Sequence, residues 1–450
     1  MKIRLFAIWE SLHTSYWFVP TLMILAATAT SFYTVSIDEN TELDAIRSVT
    51  WLWKGGAEGA RAMLSTIAGS VITVAGVVFS ITITTLSFAS SQFGPRLLRN
   101  FISDRTNQVV LGTFLSTFTY CILIMRTVRS SEELRFVPYV SVTVGLVLAL
   151  ASVGMLIFFI HHMANSIQAE NLVAVVGRDL HKAIHKIFPE AMGKSGKDDS
   201  DSRQDKKADI PQDFIDNSYE IIAQRSGYIQ AVEEEKLMEL ASTNNLILQL
   251  EYRPGHFVAE GMCLLRLWPK AQANAGICKE IRDLYLIGNH RTPVQDIEYA
   301  FHQLVEIALR ALSPSLNDPY TAINCLDWLS AGLLQLAQRQ MPSKYRLDKQ
   351  NKLRIVTNIT TFSGLADVTY NQIRQYGKAS AAVTIRMLET IEHLAPQLHY
   401  ADDRAALLKH AEKIYADLRE SIHNKADRNE ILERYHSAIK SVARKEDILG

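Results

Sequence analysis

Apolar residues fill four long stretches in the first third of the chain, and each stretch lacks charge. No Asp, Glu, Lys or Arg occurs between Glu10 and Asp38, Arg61 and Arg96, Arg105 and Arg126, or Arg135 and His161. Each stretch reaches the roughly 20 residues that a helix needs to cross about 30 Å of hydrocarbon. We therefore predict a transmembrane domain over residues 1–163, with spans near 14–36, 62–92, 106–126 and 137–161.

Basic residues are divided unevenly between the two sides of such a domain. One side carries Lys2, Arg4, Arg96, Arg99, Arg105, Arg178, Lys182 and Lys186, and the other carries Arg47, Lys54, Arg61, Arg126, Arg129 and Arg135. Cytoplasmic loops are enriched in Lys and Arg, so the N-terminus and the C-terminal domain are predicted to be cytoplasmic. The four cysteines form no Cys-x-x-Cys pair, which is typical of free thiols in a reducing compartment.

The second span is longer than a bilayer core and has one polar face. Its uncharged stretch from Ala62 to Pro95 measures about 51 Å if wholly helical, so it must tilt or project. Small and hydroxylated residues recur every three or four positions, which puts them on one side of the helix. This stripe consists of Gly69, Thr73, Gly76, Ser80, Thr84, Ser87 and Ser91.

The stripe has two interpretations, and neither one exposes it to lipid. Small residues let neighbouring helices approach closely, while Ser and Thr hydroxyls bond to their own backbone. Alternatively, the stripe lines a polar path in a symmetric homo-oligomer. In that case Arg96 and Arg99 lie at the cytoplasmic mouth and favour anions there. The apolar residues beside these arginines predict a short helix in the membrane interface.

The rest of the chain is predicted to be a large cytoplasmic domain. Residues 164–190 have the pattern of a helical connector, and 191–210 predict a disordered linker because they contain almost nothing apolar to bury. Short apolar runs separated by turns predict a small β unit over 211–270. Residues 271–450 predict a helical domain that ends in a bundle, and the fold class is therefore mostly α.

From Arg291 onward the whole pattern is helical. Thr292 is a predicted N-cap and Gln295 is its capping-box partner. The first helix has one apolar face, and its polar face is expected to meet solvent or a partner subunit; that face carries Asp296, Tyr299, Gln303, Glu306 and Arg310. Later helices are predicted near 352–375, 378–394, 401–422 and 427–445.

A polar connection follows that first helix. Asp318 followed by Pro319 is typical of the N-cap and first position of a helix and predicts that the next helix begins there. The connection is dense in polar groups, so it is either a capped helix corner or the binding site of the soluble domain. Its candidate binding residues are Arg310, Ser313, Ser315, Asn317 and Asp318.

Composition and motifs argue against several function classes. The 47 basic and 47 acidic residues balance to a net charge of zero, which gives no pointer to nucleic acid. No phosphate-binding loop, HExxH, GxSxG or nucleophilic Cys-His pattern occurs, so we expect no enzyme, no catalytic residue, no metal and no cofactor. The spans lack acids and bases, which favours passive conduction over pumping.

Two long segments resemble the signatures of the DUF2254 family of bacterial predicted membrane proteins. They are residues 74–99, VAGVVFSITITTLSFASSQFGPRLLR, and 310–322, RALSPSLNDPYTA. Segments near Gly227, Arg253 and Gln372 resemble further parts of the family, so the similarity spans nearly the whole chain. The resemblance implies a multi-pass protein of the bacterial inner membrane, and it supplies no reaction, ligand or catalytic residue.

Two functions remain open. The first is an oligomeric channel or transport-like protein in which the second helix lines a polar path. The second is a membrane-anchored sensor or scaffold whose cytoplasmic domain binds a ligand or partner. The expected partners are the lipid bilayer and further copies of this chain, while the soluble ligand is unknown.

Overall fold

A computed structural model describes residues 15–40, 55–94, 104–129, 136–166, 168–188, 210–339 and 341–443. The chain forms two compact units, of which one ends at Gln168 and the other begins at Ala169. The predicted linker, the interfacial helix, Arg96 and Arg99 fall mainly or wholly outside the described residues.

Four apolar helices make up the first unit. They are α1 (Phe18–Asn40), α2 (Ala57–Phe93), α3 (Arg105–Thr127) and α4 (Tyr139–Ser166). All four are long and apolar enough to cross a membrane, as predicted. The centre of the unit is α3, which packs against each of the other three helices and is the most buried of them.

The helix α2 has 37 residues and is therefore about 55 Å long at 1.5 Å per residue. It begins five residues before the predicted span and ends one residue after it, at Phe93. Its first half packs through Ala60, Leu64 and Ala68 against Tyr120 and other buried residues of α3. The predicted excess length is therefore present in the helix.

A buried carboxylate lies near the end of one of these helices, just past the predicted uncharged span. Asp38 is in the last turn of α1, since that helix continues four residues past the predicted span. It is buried and accepts hydrogen bonds from the backbone N–H groups of Val140 and Ser141, both at 2.9 Å. The Ser141 hydroxyl donates a third bond at 2.6 Å. Asp38 thus satisfies backbone donors at the start of α4, where a helix has no partners of its own.

The second unit combines one further long helix with two small sheets. The helix α5 (Ala169–Ile187) packs against two later helices of the same unit. The strands are β1 (Tyr219–Ile222), β2 (Gly227–Val232), β3 (Ile247–Leu250), β4 (Phe257–Val258), β5 (Cys263–Trp268), β6 (Tyr285–Gly288), β7 (Tyr345–Leu347) and β8 (Leu353–Val356). Their orders are β1-β5-β3-β8-β7 and β4-β2-β6.

Helices account for the rest of the second unit. Two short ones lie among the strands: α6 (Glu234–Thr243) and α7 (Ala275–Asp283). The others are α8 (Ile297–Ala311), α9 (Pro319–Ala337), α10 (Phe362–Gly377), α11 (Ala381–Leu394), α12 (Ala401–Ser421) and α13 (Lys425–Ala443). The mostly helical fold class is confirmed, with small sheets after the spans and helices at the C-terminal end.

Two strands lie in the region past Arg291, where the whole pattern was predicted to be helical. Residues predicted to open the helix at 352–375 instead form β8, which pairs in parallel with β3 at Leu248 and Ile355, and α10 begins only at Phe362. The neighbouring β7 completes the five-stranded sheet. These strands have three and four residues, too few for alternation to stand out from helical spacing.

The start of α8 also differs from its predicted capping box. Asp296 is the N-cap and accepts from the Tyr299 N–H at 3.1 Å. Gln295 instead bonds both the N–H and the C=O of Val232 on β2. Much of the predicted polar face is buried, including Asp296, Tyr299 and Gln303, because α8 is enclosed by α5, α9 and α10.

Candidate functional site

All seven residues of the α2 stripe are exposed in the single chain. The buried residues of α2 occupy another face: Ala57, Ala60, Leu64, Ala68, Val71, Ala75, Val78, Thr82, Thr85 and Ala89. At about 100° per residue, the stripe and the buried face point in opposite directions. The stripe therefore makes no part of the packing within one copy of the membrane unit.

Large apolar side chains border the stripe on both sides. Ile72, Phe79 and Ile83 are exposed on one flank, and Val77, Ile81 and Phe88 are exposed on the other. A Cβ atom added at Gly69 or Gly76 would meet nothing within 4 Å. The stripe is thus a shallow trough of small residues between two apolar ridges.

Several stripe hydroxyls are already satisfied by their own helix. Thr73 donates to the Gly69 carbonyl at 2.8 Å, and Thr84 donates to the Ser80 carbonyl at 2.9 Å. Ser91 donates to the Phe88 carbonyl at 2.8 Å. Their oxygen lone pairs remain available to accept further bonds, because a hydroxyl both donates and accepts.

The polar connection between α8 and α9 is a capped corner. The Asp318 carboxylate accepts from the Thr321 N–H at 3.1 Å and from the Thr321 hydroxyl at 2.5 Å. Asn317 has a φ of +47°, in the left-handed region that asparagine tolerates better than most residues. The predicted N-cap is therefore present.

The other candidate residues of the corner lie at its surface. The Ser313 and Ser315 hydroxyls are 3.1 Å apart. Arg310 lies one turn from Glu306, with 3.9 Å between their nearest charged atoms. Two apolar side chains beside them are exposed, Leu316 and Tyr320, the latter by 78 %. The corner is thus an exposed, partly apolar surface.

A partly buried polar network joins the β strands to α8. Arg253 bonds Glu298 at 2.5 Å and also donates to the Thr360 hydroxyl. Arg291 makes a two-pronged pair with Asp296, at 2.7 and 2.9 Å. Sequence reasoning missed this network, although the Arg-Pro-Gly segment at 253–255 was a signal for it.

The backbone conformation and the close neighbours of position 255 require glycine there. Gly255 has a φ of +95°, and a Cβ atom there would collide with the Asp296 carboxylate. Burial, followed by the charge of Arg253, lowers the pKa of His256 in the same segment. The neutral imidazole can accept the 3.2 Å bond that the Arg253 Nε donates to it. The network holds the β strands and α8 in place.

Histidines elsewhere also have structural partners. His185 receives a hydrogen bond at 2.7 Å from Arg339. Burial lowers the pKa of His410 to about 4, and its Nε2 lies 3.2 Å from Asp367. Within the described part of the chain, no group of three His, Cys, Asp or Glu side chains is arranged to hold a metal ion. All four cysteines are free, as predicted.

Comparison with known proteins gives a family and no activity. The family model of the DUF2254 predicted membrane proteins matches residues 13–393. Uncharacterised proteins of Mycobacterium bovis and Mycobacterium tuberculosis are each 32 % identical to this chain over 396 residues, covering 86 % of it and 73 % of their own length. No solved structure matches significantly. The chain therefore belongs to the DUF2254 family of predicted membrane proteins.

Proposed function

We propose that this membrane protein works as a homo-oligomer in which copies of α2 surround a symmetry axis and their stripes line a polar path. The observation that carries the proposal is that every stripe residue is exposed on the side of α2 opposite to its intrachain packing. The chain leaves this face without a partner of its own. Further copies of α2 would supply one.

The chemistry of the face favours an axis over contact with lipid. Hydroxyl groups gain nothing from hydrocarbon, whereas they can bond water or ions along a path without the cost of a buried charge. A Cβ atom at Gly69 or Gly76 would meet nothing within 4 Å, so both glycines leave open space along the path. The bordering ridges, such as Phe79 and Phe88, would pack between neighbouring copies.

The proposal extends to transport by passive conduction of a small solute, and it assigns the chain no catalytic activity. Arg96 and Arg99 follow α2 closely in sequence and would favour anions near the mouth of the path. We further propose the inner membrane and a cytoplasmic second unit, on the basis of the distribution of basic residues around the spans.

Thiol accessibility tests the proposal. Cysteines introduced singly at Thr73, Ser80 and Ser87 should react with a charged, membrane-impermeant thiol reagent. Val78→Cys is the control for a position packed inside one copy, and Val153→Cys is the control for an exposed apolar position on α4. The background carries Cys263→Ser, since the other three native thiols are buried.

Reaction at the three stripe positions and at neither control supports a water-filled path. Unreactive stripe cysteines would eliminate it. The anchored sensor or scaffold would then be the better proposal, with the exposed Leu316 and Tyr320 of the α8–α9 corner as the surface that a partner contacts.

A further inference from the structure

A cavity of about 310 Å³ lies between α5 and α9 in the second unit. Its lining consists of Glu170, Val173, Asn324, Asp327 and Trp328. The volume equals about ten water molecules at about 30 Å³ each, and it falls at the lower end of the range for small-molecule pockets. The cavity is therefore large enough for a small organic molecule and larger than a single ion requires.

The tryptophan of this cavity is held by close packing on α5. A Cβ atom at Gly177 would collide with the Trp328 ring, so the indole lies directly against the backbone of α5. Only glycine permits this approach. The ring is consequently fixed at the cavity wall without a large side chain beneath it.

The two carboxylates of the cavity differ in how their charge is balanced. Asp327 accepts from the Arg386 Nε at 2.6 Å, and this bond is the main reason that the pKa of Arg386 is raised. Arg386 also forms a salt bridge with Glu389 at 3.0 Å, and Glu389 forms another with Arg434 at 3.5 Å. These four groups balance one another. The charge of Asp327 is therefore compensated by its own neighbours.

The other carboxylate is not compensated in this way. Glu170 lies in the first turn of α5, is exposed to solvent, and forms no salt bridge with another described side chain. The cavity thus combines a solvent-exposed carboxylate, an indole ring and the amide of Asn324. An indole face attracts cations, and a carboxylate adds Coulomb attraction.

We propose that this cavity binds a small organic cation carrying one ammonium group, with Glu170 and Trp328 as its main contacts. A metal ion fits less well, because divalent ions require more oxygen ligands than this lining offers and gain nothing comparable from the indole. The proposal is independent of the α2 stripe, since the cavity lies wholly within the second unit.

Choline is the probe, and 3,3-dimethylbutan-1-ol is its uncharged counterpart of the same shape. The full chain in detergent is titrated with each compound by calorimetry at low ionic strength, with tryptophan fluorescence as a second readout. We expect choline to bind about tenfold more tightly than the alcohol, because the alcohol lacks both the ion pair and the cation–π attraction.

Two single variants locate the site. Glu170→Gln keeps the shape of an exposed side chain and should weaken choline binding about twofold to fivefold, as expected for a half-screened ion pair. Trp328→Phe should weaken it further and remove the choline-dependent part of the fluorescence change. Glu280→Gln on α7 removes the same charge from an exposed residue outside the cavity and should leave binding unchanged.

Three results would overturn the assignment. One is the absence of choline binding at about 10 mM, a concentration that keeps the ionic strength low and still detects dissociation constants in the 1 mM class. Another is equal affinity for choline and the alcohol, which would mean an apolar hollow with no preference for charge. The third is a choline affinity that Glu170→Gln and Glu280→Gln leave equally unaffected, since the bound cation would then lie elsewhere.

Discussion

The exposed faces of α2 and α4 differ although both helices are candidate membrane spans. The exposed side of α4 carries large apolar side chains at Val147, Leu150, Val153 and Ile157, which are 54 to 67 % exposed. On α2 the corresponding exposed side has the stripe at its centre and apolar ridges only at its borders. Both helices are strongly apolar on average, with mean hydropathies of 2.0 and 2.5.

The comparison shows that average hydropathy identifies a span but does not identify its neighbours. Large aliphatic side chains fill the space beside lipid chains, so the exposed side of α4 suits the bilayer. A row of glycine, serine and threonine suits contact with helices or water. The different composition of the two faces therefore predicts lipid around α4 and further copies of the chain around α2.

The largest expected effect comes from a bulky residue in the middle of the stripe. Ser80→Phe should prevent assembly, because one phenyl ring from each copy would then crowd the axis, and overpacking costs roughly 1 to 3 kcal/mol. Analytical ultracentrifugation in detergent measures the assembled fraction. The matched change on the other face, Val153→Phe, should leave assembly intact. Equal behaviour of the two variants would remove the distinction between the faces.

A second variant separates packing within one copy from assembly between copies. Asp38→Ala removes a charged acceptor of three hydrogen bonds at the start of α4 and should lower the free energy of unfolding by about 2 to 3 kcal/mol. Asp38→Asn, which keeps one acceptor oxygen, should lose less. Thermal melting in detergent reports both. If assembly fell in proportion to stability, α4 would contribute to the contact between copies.

A third variant tests whether the soluble corner contributes to assembly. Asp318→Ala removes the N-cap of α9 and should cost roughly 0.5 to 2 kcal/mol, measured by melting. Assembly should be unchanged, since the proposal locates the contact at α2. Asn317→Gly is the control, because glycine adopts the positive φ of this position readily. Normal melting of Asp318→Ala with loss of a partner or activity would favour the sensor interpretation.

The smallest expected effect comes from Gly76→Ala, a variant that distinguishes a water-filled path from close helix packing at the stripe. A Cβ atom at Gly76 meets nothing within one copy, so Gly76→Ala should not disturb the fold. In a ring with water at its centre, the extra methyl group should change the association constant less than about twofold, equivalent to about 0.4 kcal/mol. A loss of tenfold or more would indicate that helices touch at Gly76.

Local sequence signals predicted a large part of this structure. Uncharged stretches identified the four spans, and the Asp-Pro pair identified the start of α9, because both signals depend on neighbouring residues. The stripe was also visible, since helical spacing alone defines one face. Its exposure could not be predicted, because exposure depends on which face of α2 packs against α3.

The features that sequence reasoning missed depend on distant partners. Asp38 contacts a residue 102 positions away, and nothing near it in sequence indicates that contact. Gln295 was expected to cap its own helix but bonds Val232, 63 positions away. The strands β7 and β8 are short and form because β8 pairs with β3 and β7 pairs with β8. Tertiary contacts overrode local preference in each case.

Cross-linking between copies in native membranes tests the central claim most directly. Ser80→Cys and Val153→Cys are prepared separately in the Cys263→Ser background and treated with a short bis-maleimide, and the products are separated by denaturing electrophoresis. The account predicts a band of cross-linked pairs of copies for Ser80→Cys and only a single-copy band for Val153→Cys. A single-copy band for Ser80→Cys, or cross-linked pairs for Val153→Cys that match those of Ser80→Cys, would contradict it.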